Sequence, residues 1–465
     1  MPSFTLLGPQ VIRLPFILAS SYPHEILHNW WGNSVFVDYD SGNWCEGLTA
    51  YLADHLIQEQ GGRGAAYRRD ALQRYRSYVS ESRDFPLVEF RSRHSAATEA
   101  VGYGKTLMGF HMLRQLVGDD TFRAWLAAFY REERGRRASF GDVRRTLEEV
   151  SGRKLGRFFE QWTERSGAPA LALAGVWVEK SPEGWTVHGT LRQTQPGDPY
   201  ELEVPVVLET ESGPLLRRLP LASHESTFEL PSETLPLALH VDPSFDLFRV
   251  LDPLEVPPSI GQVFGDPRPL AILPSTAPAA EIEAYRGLIG AWRSEHQQPE
   301  LVGDDELSSL PTDRAVWLLG RSNRFASALF EGHPGVTVET DTIQLEGRSL
   351  PITDHTFVVV VRNPAAAEQA VGWITVDPAT AFAGLARKLP HYGKYSYLGF
   401  EGSEPTNVAK GQWSGLDSPL TVDLRPEAER STPLPAPALE PEPPLVAAPA
   451  PDPSAAHPAT PHRGG

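Results

Sequence analysis

The chain has 465 residues, 41% of them hydrophobic and 22% charged, a length that supports roughly two to four domains with buried cores. With 42 Lys and Arg against 59 Asp and Glu, the formal charge is −17, which argues against a nucleic-acid partner. A single cysteine, Cys45, rules out an intrachain disulfide, and no apolar run approaches the ~20 residues of a membrane-spanning helix.

In chain order, "LPFILA" is shorter than the roughly 7–15 residues of a signal-peptide core and is interrupted by Pro15. "SSYPHEILHNWWGN" reads as a helix, with Ser20 or Ser21 to cap it, Pro23 in its first turn and Gly32 to end it. "EGLTAYLADHLIQEQGG" sets Leu48, Tyr51, Leu52 and Leu56 on one face and stops at Gly61 and Gly62. "KTLMGFHMLRQLVG", "DDTFRAWLAAFYREE", "SFGDVRRTLEEVSG" and "LGRFFEQWTERSG" repeat that rhythm. Residues 1–167 are therefore expected to form a mostly helical domain.

From residue 168 the period becomes two. "LALAGVWVEK", "GWTVHGTLRQ", "ELEVPVVLET", "PLLRRLPL", "STFELP" and "LALHVDP" predict a β-sandwich over residues 168–255. "LEVPPSIGQVFGDPRP" reads as a linker over 256–268. Apolar runs such as "LAILPS", "AVWLLG", "TFVVVVRNP" and "VGWITVD" then alternate with helical stretches. They predict a small α/β domain over 269–425 with a buried, largely parallel sheet. It carries no nucleotide-binding glycine loop and no nucleophile elbow, and its role cannot be read. The last 35 residues hold eleven prolines, so 426–465 is expected to be a disordered or extended tail.

The chemistry concentrates in H-E-x-x-H at His24 to His28. Positions i and i+4 of a helix lie about 40° apart around its axis, so both imidazoles can face one ion. Glu25 lies one step round, placed to take a proton from a metal-activated water. A hydrolytic zinc ion usually takes three protein ligands and leaves one position open. Glu46, at the start of the next helix with seventeen residues between it and His28, supplies the third. His55, His94 and His111 lack ligand spacing and read as structural, and Cys45 as a buried, inert thiol.

"HEILHNWWGN" followed by "NWCEGLTAYL" resembles the aminopeptidase N-like gluzincin metallopeptidases, the membrane alanyl aminopeptidase family. Trp30 or Trp31, Gly32, Asn33, Glu46 and Gly47 match its pattern. "AVGYGKTLMGFHML" resembles the family segment whose tyrosine donates to the oxyanion, which implies that role for Tyr103. The resemblance covers about residues 1–255. It implies a thermolysin-like helical catalytic domain followed by a β-sandwich, one Zn2+ per chain on His24, His28 and Glu46, and a peptide substrate.

The departures are a loop one residue short, Cys45 where the family has Asn, and Gly104 where it has Glu. Asp54 follows Glu46 by eight positions, where the family has a carboxylate at seven, and its role stays open. The family's Gly-x-Met-Glu-Asn anchor for a substrate amino terminus has no clear counterpart, and its C-terminal helical domain is replaced. The chain opens inside what the family makes an edge strand, "FTLLGPQVIRLPFIL". The expectation is a longer functional polypeptide, with an upstream β domain and with or without an export signal; the chain as it stands is expected to bind zinc but to show poor solubility and weak or no aminopeptidase activity. The function expected is zinc-dependent peptide hydrolysis, probed against two other readings: a degenerate metal-binding scaffold, and a zinc hydrolase of non-peptide bonds. Compartment and oligomeric state stay open.

Overall fold

This computed structural model describes residues 21–295, 297–413 and 418–427, together with residues 5, 7–9, 13, 17, 18, 430, 434, 439 and 443–447. The edge strand expected near the start, and most of the tail, lie outside the described residues. No described helix is long and apolar enough to cross a membrane.

The first part is helical: α1 (Ser21–Leu27), α2 (Cys45–Ala50), α3 (Leu56–Gln60), α4 (Gly64–Tyr78), α5 (Ala96–Glu99), α6 (Thr106–Val117), α7 (Asp119–Glu133), α8 (Phe140–Ser151) and α9 (Gly156–Phe159). Only a short parallel pair, β1 (Phe36–Val37) with β2 (Arg137–Ala138), interrupts it. Capping follows the sequence signals. Ser139 and Asp142 form a capping box on α8, and Gly152 closes that helix at φ 68°, a conformation open to glycine. Three π-turns are described, Tyr51–His55 between α2 and α3, Ala100–Lys105 between α5 and α6, and Glu160–Glu164 after α9.

All six expected sandwich strands are present: β3 (Leu171–Ser181), β4 (Gly184–Gln193), β5 (Leu202–Thr210), β6 (Gly213–Leu221), β7 (Glu225–Ser232) and β8 (Pro236–Val241). They form one sheet ordered β3-β4-β7 and another containing β8-β5-β6. The second sheet gains Thr421–Asp423, antiparallel to β8. The sequence reading had left that strand in the α/β domain. Three polar-flanked residues give no periodicity of their own, and only their partner makes them a strand.

Residues 256–268, expected as a linker, fold instead into a helix, α10 (Ile260–Gly265), with Ile260 and Val263 fully buried. Glycine makes the fit: a Cβ on Gly265 would lie 1.6 Å from the Ser77 carbonyl oxygen of α4. A six-residue helix between prolines is too short to show a period.

The following sheet runs Glu300–Gly303, Leu270–Leu273, Val316–Leu319, Ala366–Thr375, His355–Asn363, Tyr397–Glu401, Thr406–Gly411. Its first four strands are parallel, and the rest pair antiparallel, so the sheet is mixed rather than largely parallel. Helices cover one face, meeting Val358 and Val360. Ala326–Leu329 and a small three-stranded sheet cover the other, meeting Phe357, Val359 and Val361. Burial on both faces is why "FVVVV" reads as an unbroken apolar run.

The helices and the sandwich share one apolar core, crossed by a buried polar chain. Arg114 donates to the Tyr51 hydroxyl at 3.2 Å, that hydroxyl pairs with His111 Nδ1 at 3.2 Å, and His111 Nε2 donates to Asp246 at 3.0 Å. Arg68 joins Asp246 at 2.8 Å and His55 Nε2 at 3.0 Å. Asp242 accepts the Asp246 amide and binds Arg249, which also grips Glu255 through two 2.8 Å bonds.

Burial, reinforced by the Arg68 charge, pushes His111 down to about 4 from 6.5, although Asp246 pulls the other way. The folded protein therefore holds His111 neutral where the unfolded chain would be protonated. Stability should be untouched by this residue above pH 6.5 and should fall as pH drops from 6.5 towards about 4. The thermal midpoint measured across that window should fall more steeply in the wild type than in His111→Gln, and equal slopes would discount the residue.

Candidate metal centre

The short helix α1 continues in helical register past its last residue, with the His28 amide on the His24 carbonyl at 3.3 Å, until Gly32 turns the chain at φ 100°. That register points both histidines the same way, their rings 4.9 Å apart. Trp31 anchors the turn. It is buried against Trp44, Phe129 and Tyr130, and Trp44 donates from its indole to the Ala138 carbonyl at 2.7 Å. This aromatic floor fixes the end of α1 relative to the start of α2, where Glu46 sits.

Glu46 Oε2 lies 3.4 Å from His24 Nε2 and 3.5 Å from His28 Nε2. One ligand atom from each of the three residues falls within 4.8 Å of the others. Gly47 lets α2 approach α6 this closely, since a Cβ there would be 2.3 Å from Thr106. The remaining ring nitrogens are engaged. His24 Nδ1 donates to Asp54 at 2.9 Å and His28 Nδ1 to the Trp31 carbonyl at 3.0 Å, which turns both Nε2 atoms inward. The eight-position spacing of Asp54 has its explanation here. Two α-turns take about seven residues, and the π-turn Tyr51–His55 adds one.

The electrostatics favour positive charge. Burial would lower both histidines, but the hydrogen bonds His24 donates to Asp54 and Glu46 raise it to about 9. For His28, bonds with Cys45 and Glu46 outweigh burial and raise it to about 10. Glu46 is held well below the usual carboxylate range, because its contacts with His24, His28 and Tyr103 outweigh its own burial. Burial and the neighbouring Glu46 charge push the Tyr103 hydroxyl far up, so it stays a proton donor. Its ring stacks 6.3 Å from His24.

Glu25 and Tyr103 line the same cavity of about 400 Å3 as the three ligand-type residues. The sequence reading missed Tyr39 and Asn43, which share that lining. Asn43 binds the Cys45 amide and the Arg91 carbonyl, a loop role that no spacing announces. Cys45 is buried with Sγ 3.5 Å from His28 Nδ1, on the side of the ring facing away from Glu46. His55 and His111 belong to the buried polar chain, and His94 bonds only locally to Ser92.

Residues 18–162 match the model of the peptidase family M1 domain. The alanine/arginine aminopeptidase of Saccharomyces cerevisiae is 26% identical over 228 residues, 46% of this chain and 26% of that protein. The aminopeptidase N of Lactococcus lactis subsp. lactis is 24% identical over 162 residues, 33% of this chain and 19% of that protein. A crystal structure of Legionella pneumophila aminopeptidase A in complex with aspartic acid aligns with 52% of this chain and 27% of its own, at 21% identity and a TM-score of 0.37. The chain thus spans about a quarter of the length of the curated relatives it matches. The segment that carries the histidine–glutamate cluster thus matches the peptidase family M1 domain, in a chain similar to these aminopeptidases.

Proposed function

We propose that the chain is an aminopeptidase-like zinc metallopeptidase hydrolysing peptide bonds. One observation carries the reading: two imidazole Nε2 atoms and a carboxylate oxygen converge on one point, with both Nδ1 atoms already engaged. That donor set and its negative surroundings fit a zinc ion held by His24, His28 and Glu46. Bound there, zinc would supply Lewis acidity and lower the pKa of a water.

The protein's own groups do the rest. Glu25, next to His24 on the cavity wall, takes the proton of the attacking water and returns it to the leaving amine. Tyr103 donates its hydroxyl proton in a hydrogen bond to the oxyanion that develops on the carbonyl carbon's oxygen. Asp54 holds the His24 ring, so that the metal-facing nitrogen keeps its direction.

Elemental analysis should find one zinc per purified chain and a sharp loss in Glu46→Gln with the helical signal intact; full occupancy in that variant would remove Glu46 from the site. On a panel of aminoacyl and internally cleaved fluorogenic peptides, Glu25→Gln should lose about 10²–10⁴ in kcat. Tyr103→Phe should lose about 10²–10³ with KM little changed, and an unaltered kcat would return that tyrosine to packing alone. Asp54→Ala should weaken zinc binding by about 10–100-fold without unfolding the protein, measured by competition with a chelator.

A further inference from the structure

Residues 443–447 do not hang free of the helices. They lie in a groove between the end of α3, the last turn of α6 and the first turn of α7. Leu445 is 3% exposed and belongs to the same apolar cluster as the helices and the sandwich. Its amide donates to Glu59 Oε2 at 3.0 Å, and its carbonyl accepts from Arg123 at 2.6 Å. Arg114 donates to the Pro443 carbonyl at 3.1 Å and Gln60 to the Val446 carbonyl at 2.9 Å.

Each flanking element contributes a side chain that binds backbone, and one apolar side chain fills the seat. Val446 next to it points out, 52% exposed. Pro443 and Pro444 restrict the approach to an extended backbone, which reduces the ordering entropy of docking. With the segment in place, Glu59 and Arg114 are both 3% exposed at their side chains and bonded to each other at 2.7 Å. The Leu445 amide satisfies the carboxylate oxygen that Arg114 does not.

We propose that this groove is a docking site for the chain's own C-terminal segment. Leu445 is the plug, and Glu59, Arg114 and Arg123 bind the backbone around it. Docking then fastens the proline-rich segment to α3, the continuation of the helix that carries Glu46 and Asp54. The proposal stands on contacts remote from the metal centre and does not depend on the chemistry there.

Limited proteolysis of the full-length protein, followed by intact mass, tests it. Leu445→Asp should speed removal of the segment by about tenfold or more, because cleavage tracks the undocked population. Arg123→Ala, which loses one backbone bond, should raise it a few-fold, whereas Val446→Asp should leave it unchanged. Equal cleavage of wild type and Leu445→Asp would overturn the docking site. Protection that grows with protein concentration would overturn the assignment to the same chain and make the occupant a second copy.

Discussion

One helical stretch, Cys45–Ala50 through Leu56–Gln60, answers to two neighbours at once, and the rest of the fold is arranged around it. One side of it must deliver Glu46 and Asp54 to the histidines of α1. The other must deliver Tyr51 and Glu59 to Arg114 and His55 to Arg68. A regular α-helix cannot bring Glu46 and Asp54 into line, because eight residues overrun two turns. The π-turn absorbs the surplus residue, and its cost is met by burial, with Tyr51, Ala53 and His55 all inside. Breaking a buried pair such as Arg114–Glu59 by removing one partner would cost about 3–5 kcal/mol, enough to make the register of this helix a condition of folding.

The four histidines in contact with this stretch separate into two kinds by their company. His24 and His28 bond to carboxylates and are raised, while burial together with Arg68 and Arg114 lowers His55 and, against the pull of Asp246, His111. Burial acts in the same direction on all four. For His24 and His28, hydrogen bonds and neighbouring negative charge override burial. The same comparison explains why the buried polar chain ends in arginines: neutral imidazoles there bridge donors and acceptors without adding charge to the core.

What could be read from the sequence was what depends on near neighbours. The histidine pair is a property of five residues, the strands β3 to β8 of eleven or fewer each, and Glu46 of a helix start. The resemblance of these segments to a peptidase family added Tyr103. Asp54 stayed open because its direction depends on a π-turn set by packing. The helix α10, the strand Thr421–Asp423 and the docked Leu445 were hidden for a related reason. Each is three to six residues long and exists only through a partner far away in the chain, Ser77, β8 and Glu59 respectively. The mixed character of the second sheet was equally illegible, since an apolar strand buried on both faces looks the same in parallel and antiparallel pairing.

The cavity lining narrows what the rest of a substrate meets. Among the described residues around it, the carboxylates are Glu25 and Glu46, one assigned to proton transfer and the other to the metal. Beyond the histidines and Tyr103, the wall gains neutral polar groups from Thr5, Asn33, Tyr39 and Asn43. A free amino terminus entering this cavity would find dipoles where a carboxylate anchor would bind an ammonium group far more strongly. Among the described residues before α1, Thr5 lines the cavity. On the proposed function the catalytic groups all come from residues 24–103, so the cavity wall beside them, rather than the sandwich or the α/β sheet, is where discrimination between the end and the middle of a peptide has to be built.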